Sequence, residues 1–277
     1  MLIDILTALA VVVAVGLVFG ILLALAVRFF YVEEDQTEVK IREALPGINC
    51  GACGFSGCAG YAKAMAKGEA KPNLCIPGAE GVAAVLGDIL GVEVETPKDM
   101  IAFVHCNGTC EACPSMARYS GIATCRAGSM IYGGPKSCKY GCLGCGDCQS
   151  VCVANAICIE NGVAIVNTER CVGCGLCIKE CPKKLISMIP QEAATVVYCA
   201  NKDKGADARK ACKHACIGCK KCELTCPEKA IAVKNNCAVI DYEKCNGCGQ
   251  CAEACPTECI KKVFFPDIPE GFDPFNK

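Results

Sequence analysis

The chain has 277 residues, of which 30 are cysteine and none is tryptophan, and its formal net charge is −1. This composition excludes a general nucleic-acid-binding protein, for which a basic surface and aromatic stacking platforms are expected. It also excludes a core built only of ordinary apolar side chains, because 30 cysteines are more than such a core contains.

Most of the cysteines occur in runs in which only two or three residues separate one from the next. Cysteines this close cannot all reach separate partners at disulfide distance, but they can converge on one metal centre. The pattern therefore favours metal-bound thiolates over a disulfide framework. Free thiolates also indicate a reducing compartment for most of the chain.

The first predicted element is a transmembrane helix within residues 1–31. The 23 residues from Ile5 to Val27 carry no charge, and that length crosses the core of a bilayer. A cleavable signal peptide is the alternative, but the stretch is long for one and no basic residue precedes it. Since the thiolates need a reducing compartment, we expect an uncleaved, single-pass anchor with the remainder of the chain in the cytoplasm.

A small [4Fe–4S] domain is predicted over residues 32–92. Its cysteines are spaced C-x2-C-x4-C-x16-C, and four thiolates suit one [4Fe–4S] cube or one zinc ion. We favour the cube because the motifs that follow are not zinc-like. Helices are predicted over 59–67 and 81–90, and a connector with extra cysteines over 93–137. The four predicted ligands are Cys50, Cys53, Cys58 and Cys75.

An internal repeat occupies most of the remaining chain. A shift of 74 residues places ten cysteines on ten others, and each copy contains two runs of the form C-x2-C-x2-C-x3-C. This run is the signature of bacterial two-cluster ferredoxins. It predicts ferredoxin-like domains over 138–190 and 212–265, a basic connector over 191–211 and a tail over 266–277.

The runs also predict which cysteines share a cluster. In two-cluster ferredoxins the fourth cysteine of each run binds the other cluster, so each copy should hold two cubes with crossed ligands. In the first copy the predicted sets are Cys142, Cys145, Cys148 and Cys181, and Cys171, Cys174, Cys177 and Cys152. In the second copy they are Cys216, Cys219, Cys222 and Cys255, and Cys245, Cys248, Cys251 and Cys226.

Between the runs, apolar and polar residues alternate around Asn161-Gly162 and around Asn235-Asn236. This pattern predicts a β-hairpin in each copy. The predicted fold class is therefore α+β, with an N-terminal transmembrane helix, a small 4Fe-4S module and two tandem ferredoxin-like domains. Each domain is expected to depend on its cubes for stability, because its apolar residues alone are too few.

Ten cysteines fall outside these sets. Three of them, Cys158, Cys237 and Cys259, lie opposite apolar residues of the other copy and are predicted to be small buried hydrophobic side chains. The other seven are candidates for further ligands: Cys106, Cys110, Cys113, Cys125, Cys138, Cys199 and Cys212. Cys138 and Cys212 each stand four residues before a run, so the choice between either of them and a ligand within that run is left open. At least five cubes are expected. A sixth is left open, with Cys106, Cys110, Cys113 and Cys125 as one ligand set.

The two histidines, His105 and His214, lie beside cysteines but in different parts of the chain. A Rieske-type centre needs two histidines on one iron, so we expect them instead at the surface or next to a cluster.

The order of these motifs resembles the B subunits of the Rnf complexes over essentially the whole chain. The resemblance implies a subunit of a ferredoxin:NAD⁺ oxidoreductase that couples electron flow to Na⁺ or H⁺ translocation at the inner membrane. Its partners would be reduced ferredoxin, the flavin- and NADH-binding subunit and the membrane subunits. The duplicated ferredoxin domain is similar to the long form of the family, in which Cys138 often serves the cluster in place of Cys145.

No catalytic acid, base or nucleophile is predicted, because one-electron transfer is the chemistry of the clusters. No glycine-rich nucleotide loop occurs either, so NAD⁺ and flavin should bind to partner subunits. A redox sensor is the rival interpretation, but paired runs in series favour conduction. A basic segment at the start of the second copy predicts a docking face for acidic ferredoxin, although it could equally be a solvated charged face. Its residues are Lys202, Lys204, Arg209, Lys210, Lys213, Lys220 and Lys221.

Overall fold

The structure is a computed structural model that describes residues 2–29, 35–94 and 100–263. The predicted tail over 266–277 lies outside the described residues, as do residues 30–34 and 95–99.

The N-terminal segment forms helix α1, Leu2–Phe29, of 28 residues. Among its described side chains, large apolar ones such as Val13, Leu17 and Leu23 are exposed. Over the residues that the structure describes, no helix is both long and apolar enough to cross a membrane, so the predicted transmembrane helix is not supported.

Three helices form the small domain that follows. Asp35 caps the first of them by accepting a hydrogen bond of 2.8 Å from the Thr37 amide. The helices bury Ile41, Tyr61 and Leu86 in a common core. Both helices predicted from the sequence are present. Their bounds are α2 Gln36–Ala44, α3 Cys58–Ala66 and α4 Ala79–Leu90.

The remaining described residues form two similar copies, each with two antiparallel two-stranded sheets. The first copy contains β1 Met100–Val104, α5 Cys125–Ser129, α6 Asp147–Ser150, β2 Ile157–Glu160, β3 Val163–Val166, α7 Leu176–Glu180 and β4 Ile186–Pro190. The second contains β5 Thr195–Val197, α8 Gly205–Ala211, α9 Lys221–Thr225, β6 Ile231–Lys234, β7 Cys237–Ile240, α10 Gln250–Glu253 and β8 Ile260–Lys262.

One sheet of each copy joins its first and last strands. β1 pairs with β4, with Val104 opposite Ile186, and β5 pairs with β8, with Val197 opposite Ile260. β1 and β5 lie within the segments predicted to be connectors, 93–137 and 191–211. Each connector thus contributes a strand to the copy that follows it.

The other sheet of each copy is a hairpin, as predicted. β2 pairs with β3 and β6 with β7. The turn residues Asn161 and Gly162 have φ values of 47° and 76°, and Asn235 and Asn236 have values of 49° and 63°. Two successive positive φ angles are required by a type I′ turn, which asparagine and glycine adopt most easily.

The interior of each copy combines thiols with aliphatic side chains. In the first copy Cys148 and Cys177 are buried among residues such as Ile157 and Ile186. Cys222 and Cys251 are buried in the same way in the second copy. The apolar core is therefore built around the residues predicted to bind the clusters.

Candidate iron–sulfur sites

Each of the four ferredoxin-type runs has the same backbone geometry. In the first run, Gly144 and Gly146 flank the second cysteine and have φ values of 70° and 90°. Such residues turn the loop around a concave centre and direct its amides inwards. A short helix follows and carries the third, buried cysteine of the run. The equivalent residues are Gly173 (63°), Gly175 (71°), Gly218 (64°), Lys220 (60°), Gly247 (74°) and Gly249 (74°).

The structure brings together the crossed cysteine sets of the first copy. Burial raises the pKa of Cys148 to about 12, and the thiols of Cys142, Cys125 and Cys181 add to the rise. Cys181 is the last cysteine of the second run, so it has crossed to the first site. Burial likewise raises the pKa of Cys177 to about 12, with Cys171, Cys174 and the crossed Cys152 as its neighbours.

The second copy repeats this arrangement at one of its sites. A cavity is lined by Cys245, Cys248, Cys251 and the crossed Cys226. Burial raises the pKa of Cys251 to about 11, with the other three thiols contributing. The predicted set is therefore assembled around one space.

The other site of the second copy contains an additional thiol. Burial and then the neighbouring Cys216 raise the pKa of Cys222 to about 11. Cys255 lies 3.6 Å from Cys259, sulfur to sulfur, and a hydrogen bond from Cys259 lowers the pKa of Cys255 to about 5. Hydrogen bonds from Cys237 and Cys259 also lower the pKa of Cys216. Cys259 thus links the first cysteine of one run with the last cysteine of the other.

In the small domain a single cavity is lined by all four predicted ligands, Cys50, Cys53, Cys58 and Cys75. Asn49 positions the third of them, because its Oδ1 accepts a hydrogen bond of 2.9 Å from the Cys58 amide. The buried Tyr61 hydroxyl donates to the Lys71 carbonyl at 2.5 Å and accepts from the Leu74 amide at 3.1 Å. It therefore fixes the segment that carries Cys75 back to the site.

The small-domain site adjoins one site of the first copy. Cys174 has its pKa raised by burial, and the thiol of Cys50 contributes to the rise. A Cβ atom on Gly173 would lie 3.1 Å from Cγ2 of Ile76. The two sites are therefore neighbours.

The seven additional candidate cysteines lie in several different surroundings. Cys125 begins α5, where its amide donates to Asp147 Oδ1 at 2.8 Å, and its side chain contacts Cys145. Cys110 is exposed beside the first hairpin, with its amide donating to the Asn161 carbonyl at 2.9 Å. Cys113 is buried against Cys212. The structure does not bring the set Cys106, Cys110, Cys113 and Cys125 together.

Cys138 and Cys145, between which the sequence left the choice of ligand open, are also separated. Cys145 is exposed at the edge of the Cys142 site, beside Cys125. Cys138 is buried in an apolar cluster with Cys113 and Cys212. This geometry favours Cys145 at the Cys142 site.

Cys106 and Cys199 occupy equivalent places that the sequence repeat did not reveal. The Cys106 sulfur accepts hydrogen bonds of 3.4 Å from the amides of Gly108 and Cys142. The Cys199 sulfur accepts equivalent bonds of 3.5 Å from Asn201 and 3.2 Å from Cys216. The shift of 74 residues had matched Cys199 with Cys125 instead. A local signal was present, because Val-x-Cys follows from Val104 and again from Val197.

The three cysteines predicted to be buried and the two histidines lie outside the predicted ligand sets. Cys158, Cys237 and Cys259 are buried as small side chains, with exposures of 6%, 6% and 1%. His105 lies inside the protein and joins the copies: Nδ1 is 2.8 Å from the Val197 carbonyl and Nε2 is 2.6 Å from Ser187 Oγ. Burial lowers the pKa of His105. His214 lies 3.3 Å from the Thr257 carbonyl.

In the part of the chain that the structure describes, no group of three or more His, Cys, Asp or Glu side chains is placed to coordinate a single metal ion. The donor sets fit a [4Fe–4S] cube by their chemistry. Each comprises cysteine thiols only, on glycine-rich loops with inward amides, as such cubes require. The cube, when bound, supplies one-electron chemistry, and the chain positions and shields it.

The fold and these sites define an iron–sulfur protein of the bacterial ferredoxin type. Residues 45–77 match a family model described as a putative Fe-S cluster. Residues 164–187 and 238–261 match a model described as a 4Fe-4S binding domain, and residues 213–229 match a second model of that description.

Comparison with known proteins shows to which family of iron–sulfur proteins the chain belongs. The chain is 44% identical to the B subunit of the Na⁺-translocating ferredoxin:NAD⁺ oxidoreductase complex of Acetobacterium woodii, over 88% of this chain and 74% of the relative. It is 38% identical to the B subunit of the proton-translocating ferredoxin:NAD⁺ oxidoreductase complex of Clostridium ljungdahlii, over 86% and 84%. It is 37% identical to the B subunit of the ion-translocating oxidoreductase complex of Methanosarcina acetivorans, over 85% and 90%. The chain belongs to this family, the B subunits of the Rnf complexes.

Proposed function

We propose that the chain carries electrons from reduced ferredoxin through serial [4Fe–4S] clusters to the other subunits of a membrane-bound complex, which reduce NAD⁺ and translocate Na⁺ or H⁺. The observation that carries the proposal is the contiguity of the cysteine sites. Cys50 of the small domain neighbours Cys174, and Cys177 neighbours Cys148 of the adjoining site. In the second copy Cys222 neighbours Cys251. Sites in series relay single electrons without a bond-making step.

Five cubes form the basis of this relay, four in the two copies and one in the small domain. At four irons each they require about twenty irons per chain, with a matching amount of acid-labile sulfide. Iron and sulfide analysis of the anaerobically purified protein tests the number. Zinc at stoichiometric amounts would contradict it.

The relay is expected to receive its electrons at the basic face of the second copy. All seven basic side chains of this segment are exposed, and so is Cys219 beside Lys220 and Lys221. Of the two acidic residues in this segment, Asp203 is held 2.8 Å from Lys139 and Asp207 is exposed. A positive surface around an exposed cluster ligand attracts an acidic electron donor and accelerates its encounter.

A charge-reversal triple variant tests this docking face. K210E/K213E/K220E should lower the rate of reduction by ferredoxin by tenfold or more at low salt, and the difference should shrink as salt rises. The matched control K63E/K67E/K71E makes the same charge change on exposed lysines of the small domain. Equal rates for the two triple variants would exclude this face as the docking site.

The proposal also places the N-terminal segment in the inner membrane and the iron–sulfur part on its cytoplasmic side. Support comes from the 23 uncharged residues between Asp4 and Arg28 and from the exposed apolar side chains of α1. Membrane fractions of cells that produce the full chain should retain it through a carbonate wash. A chain that begins at residue 35 should appear in the soluble fraction, and retention of both would contradict the anchor.

A further inference from the structure

We propose that an additional [4Fe–4S] cluster lies between the two ferredoxin-like copies, bound by Cys113 and Cys138 of the first and by Cys199 and Cys212 of the second. This inference rests on the proposed electron-transfer function and concerns residues outside the five sites above. It differs from the ligand set expected from the sequence, because it draws cysteines from both copies.

The site is a buried pocket at the junction of the copies. Five cysteines line it, together with small residues such as Gly108, Gly141 and Ala215. Cys113, Cys138 and Cys212 are only 1%, 7% and 8% exposed. The cysteines that line the pocket are Cys106, Cys113, Cys138, Cys199 and Cys212.

The sulfur atoms of this pocket converge. The side chains of Cys113 and Cys212 are within hydrogen-bonding reach of each other. Ala208 and Ala215 pack around them with Cys138, and Cys199 packs against the same cluster. Four thiols from distant parts of the chain therefore lie close together in one pocket.

Polar groups in the pocket are placed as donors to sulfur. Asn201 Nδ2 donates to the Cys138 sulfur at 3.4 Å, although the Asn201 side chain is buried and its residue is only 1% exposed. The Cys199 sulfur accepts the amides of Asn201 and Cys216. Donors aimed at sulfur stabilise thiolates that bind a cluster.

We choose Cys199 over Cys106 as the fourth ligand because of their packing. Cys199 packs against the cluster of Cys113, Cys138 and Cys212. Cys199 also packs against the core of the second copy, and Cys106 packs against the core of the first copy. With Cys199, each copy supplies two ligands.

The position of the pocket explains why a cluster there is useful. One wall contains Cys199, which is hydrogen-bonded to the amide of Cys216, the first cysteine of its run. Cys106 also lines the pocket, and its sulfur accepts a hydrogen bond from the amide of Cys142. A cluster in the pocket therefore joins the Cys216 site to the Cys142 site. It connects the two clusters of the first copy and the two clusters of the second copy into one continuous relay.

Iron analysis of the full chain, purified without oxygen, tests the inference. The unaltered protein should contain about twenty-four irons, and Cys113→Ser and Cys212→Ser should each remove about four. Cys158→Ser, at a buried cysteine outside every proposed site, should remove none. If the five-cube proposal fails, the unaltered protein will contain fewer than about twenty irons. If only the present inference fails, it will contain about twenty and the two variants will match it.

A kinetic measurement tests the inference even where a variant loses stability as well as iron. With excess reduced ferredoxin, the second-copy clusters of Cys212→Ser should be reduced at the normal rate. The remaining clusters should be reduced at least tenfold more slowly. Uniform slowing of all clusters, or no slowing, would overturn the inference. A Cys113–Cys212 disulfide, detected by thiol counting in the anaerobic protein, would also overturn it.

Discussion

The Nζ atom of Lys136 donates a hydrogen bond of 2.7 Å to the carbonyl oxygen of Gly162, in the turn between β2 and β3. A second bond of 2.8 Å reaches the Gly108 carbonyl, and Lys136 is only 5% exposed. A buried lysine therefore lies at the edge of the first copy. The hydrogen bond from Cys212 is the main cause of the lowered pKa of Cys113, to which Lys136 adds, and Lys136 partly offsets the rise that burial causes in the pKa of Cys142.

Lys136→Met should lower the reduction potential of the cluster at Cys142. The added electron makes a cluster more negative, and a nearby buried cation stabilises that state. The variant should also lose about 1–3 kcal/mol of stability for each carbonyl left without its donor. A redox titration followed by electron paramagnetic resonance measures the potential. Lys139→Met removes an exposed lysine and serves as control; equal shifts in both variants would contradict the role of Lys136.

Gly144→Ala should impair assembly of the first run. An added Cβ would lie 2.6 Å from the Gly162 carbonyl oxygen, a backbone atom that cannot move alone. Gly175 has a similar φ of 71°, but its Cβ would meet nothing closer than 4.0 Å. Gly175→Ala should therefore cost only about 1–2 kcal/mol of backbone strain, and Gly144→Ala clearly more. Thermal unfolding midpoints and iron content of the two variants measure the difference, and equal losses would contradict the steric argument.

Tyr61→Phe should weaken the small-domain site. The variant keeps the ring but removes both hydrogen bonds of the buried hydroxyl, with an expected loss of about 1–3 kcal/mol. Because these bonds hold the segment that leads to Cys75, iron should be lost from this site first. Tyr132→Phe, at a residue that is 99% exposed, is the control. Iron release during mild chelation measures the effect, which should be absent in the control.

A comparison of Cys148→Ala with Cys158→Ala should distinguish a cysteine that binds a cluster from one that only fills space in the core. Both residues are buried in the first copy, with exposures of 7% and 6%. Cys148→Ala should abolish or convert one cube, whereas Cys158→Ala should retain all iron and lose about 1 kcal/mol through the small cavity it leaves. Visible absorption and iron content provide the measurement. Iron loss in Cys158→Ala would contradict the assignment of this cysteine to the core.

Local signals predicted much of the fold. The hairpins followed from alternating residues around Asn161-Gly162 and Asn235-Asn236, since a type I′ turn depends on the residues within it. The helix after Cys58 was equally visible. The cysteine spacings predicted sets of which the structure brings two together around cavities, one in the second copy and one in the small domain.

Other features depend on residues far apart in the chain. β1 and β5 are short apolar segments, and they become strands only because β4 and β8 pair with them. The equivalence of Cys106 and Cys199 follows an offset of 93 residues, which differs from the 74 of the cysteine runs. The pocket between the copies draws its cysteines from both, so no single repeat contains its pattern.

The pairing of first and last strands has a consequence for how such a chain arises. The chain enters and leaves each copy on neighbouring strands, and only residues 191–194 separate β4 from β5. A unit whose ends lie side by side can be inserted into a chain without moving what precedes or follows it. Tandem gene duplication could therefore lengthen the protein by a whole redox module in one step, leaving only the new contact surface between the modules to be refined afterwards.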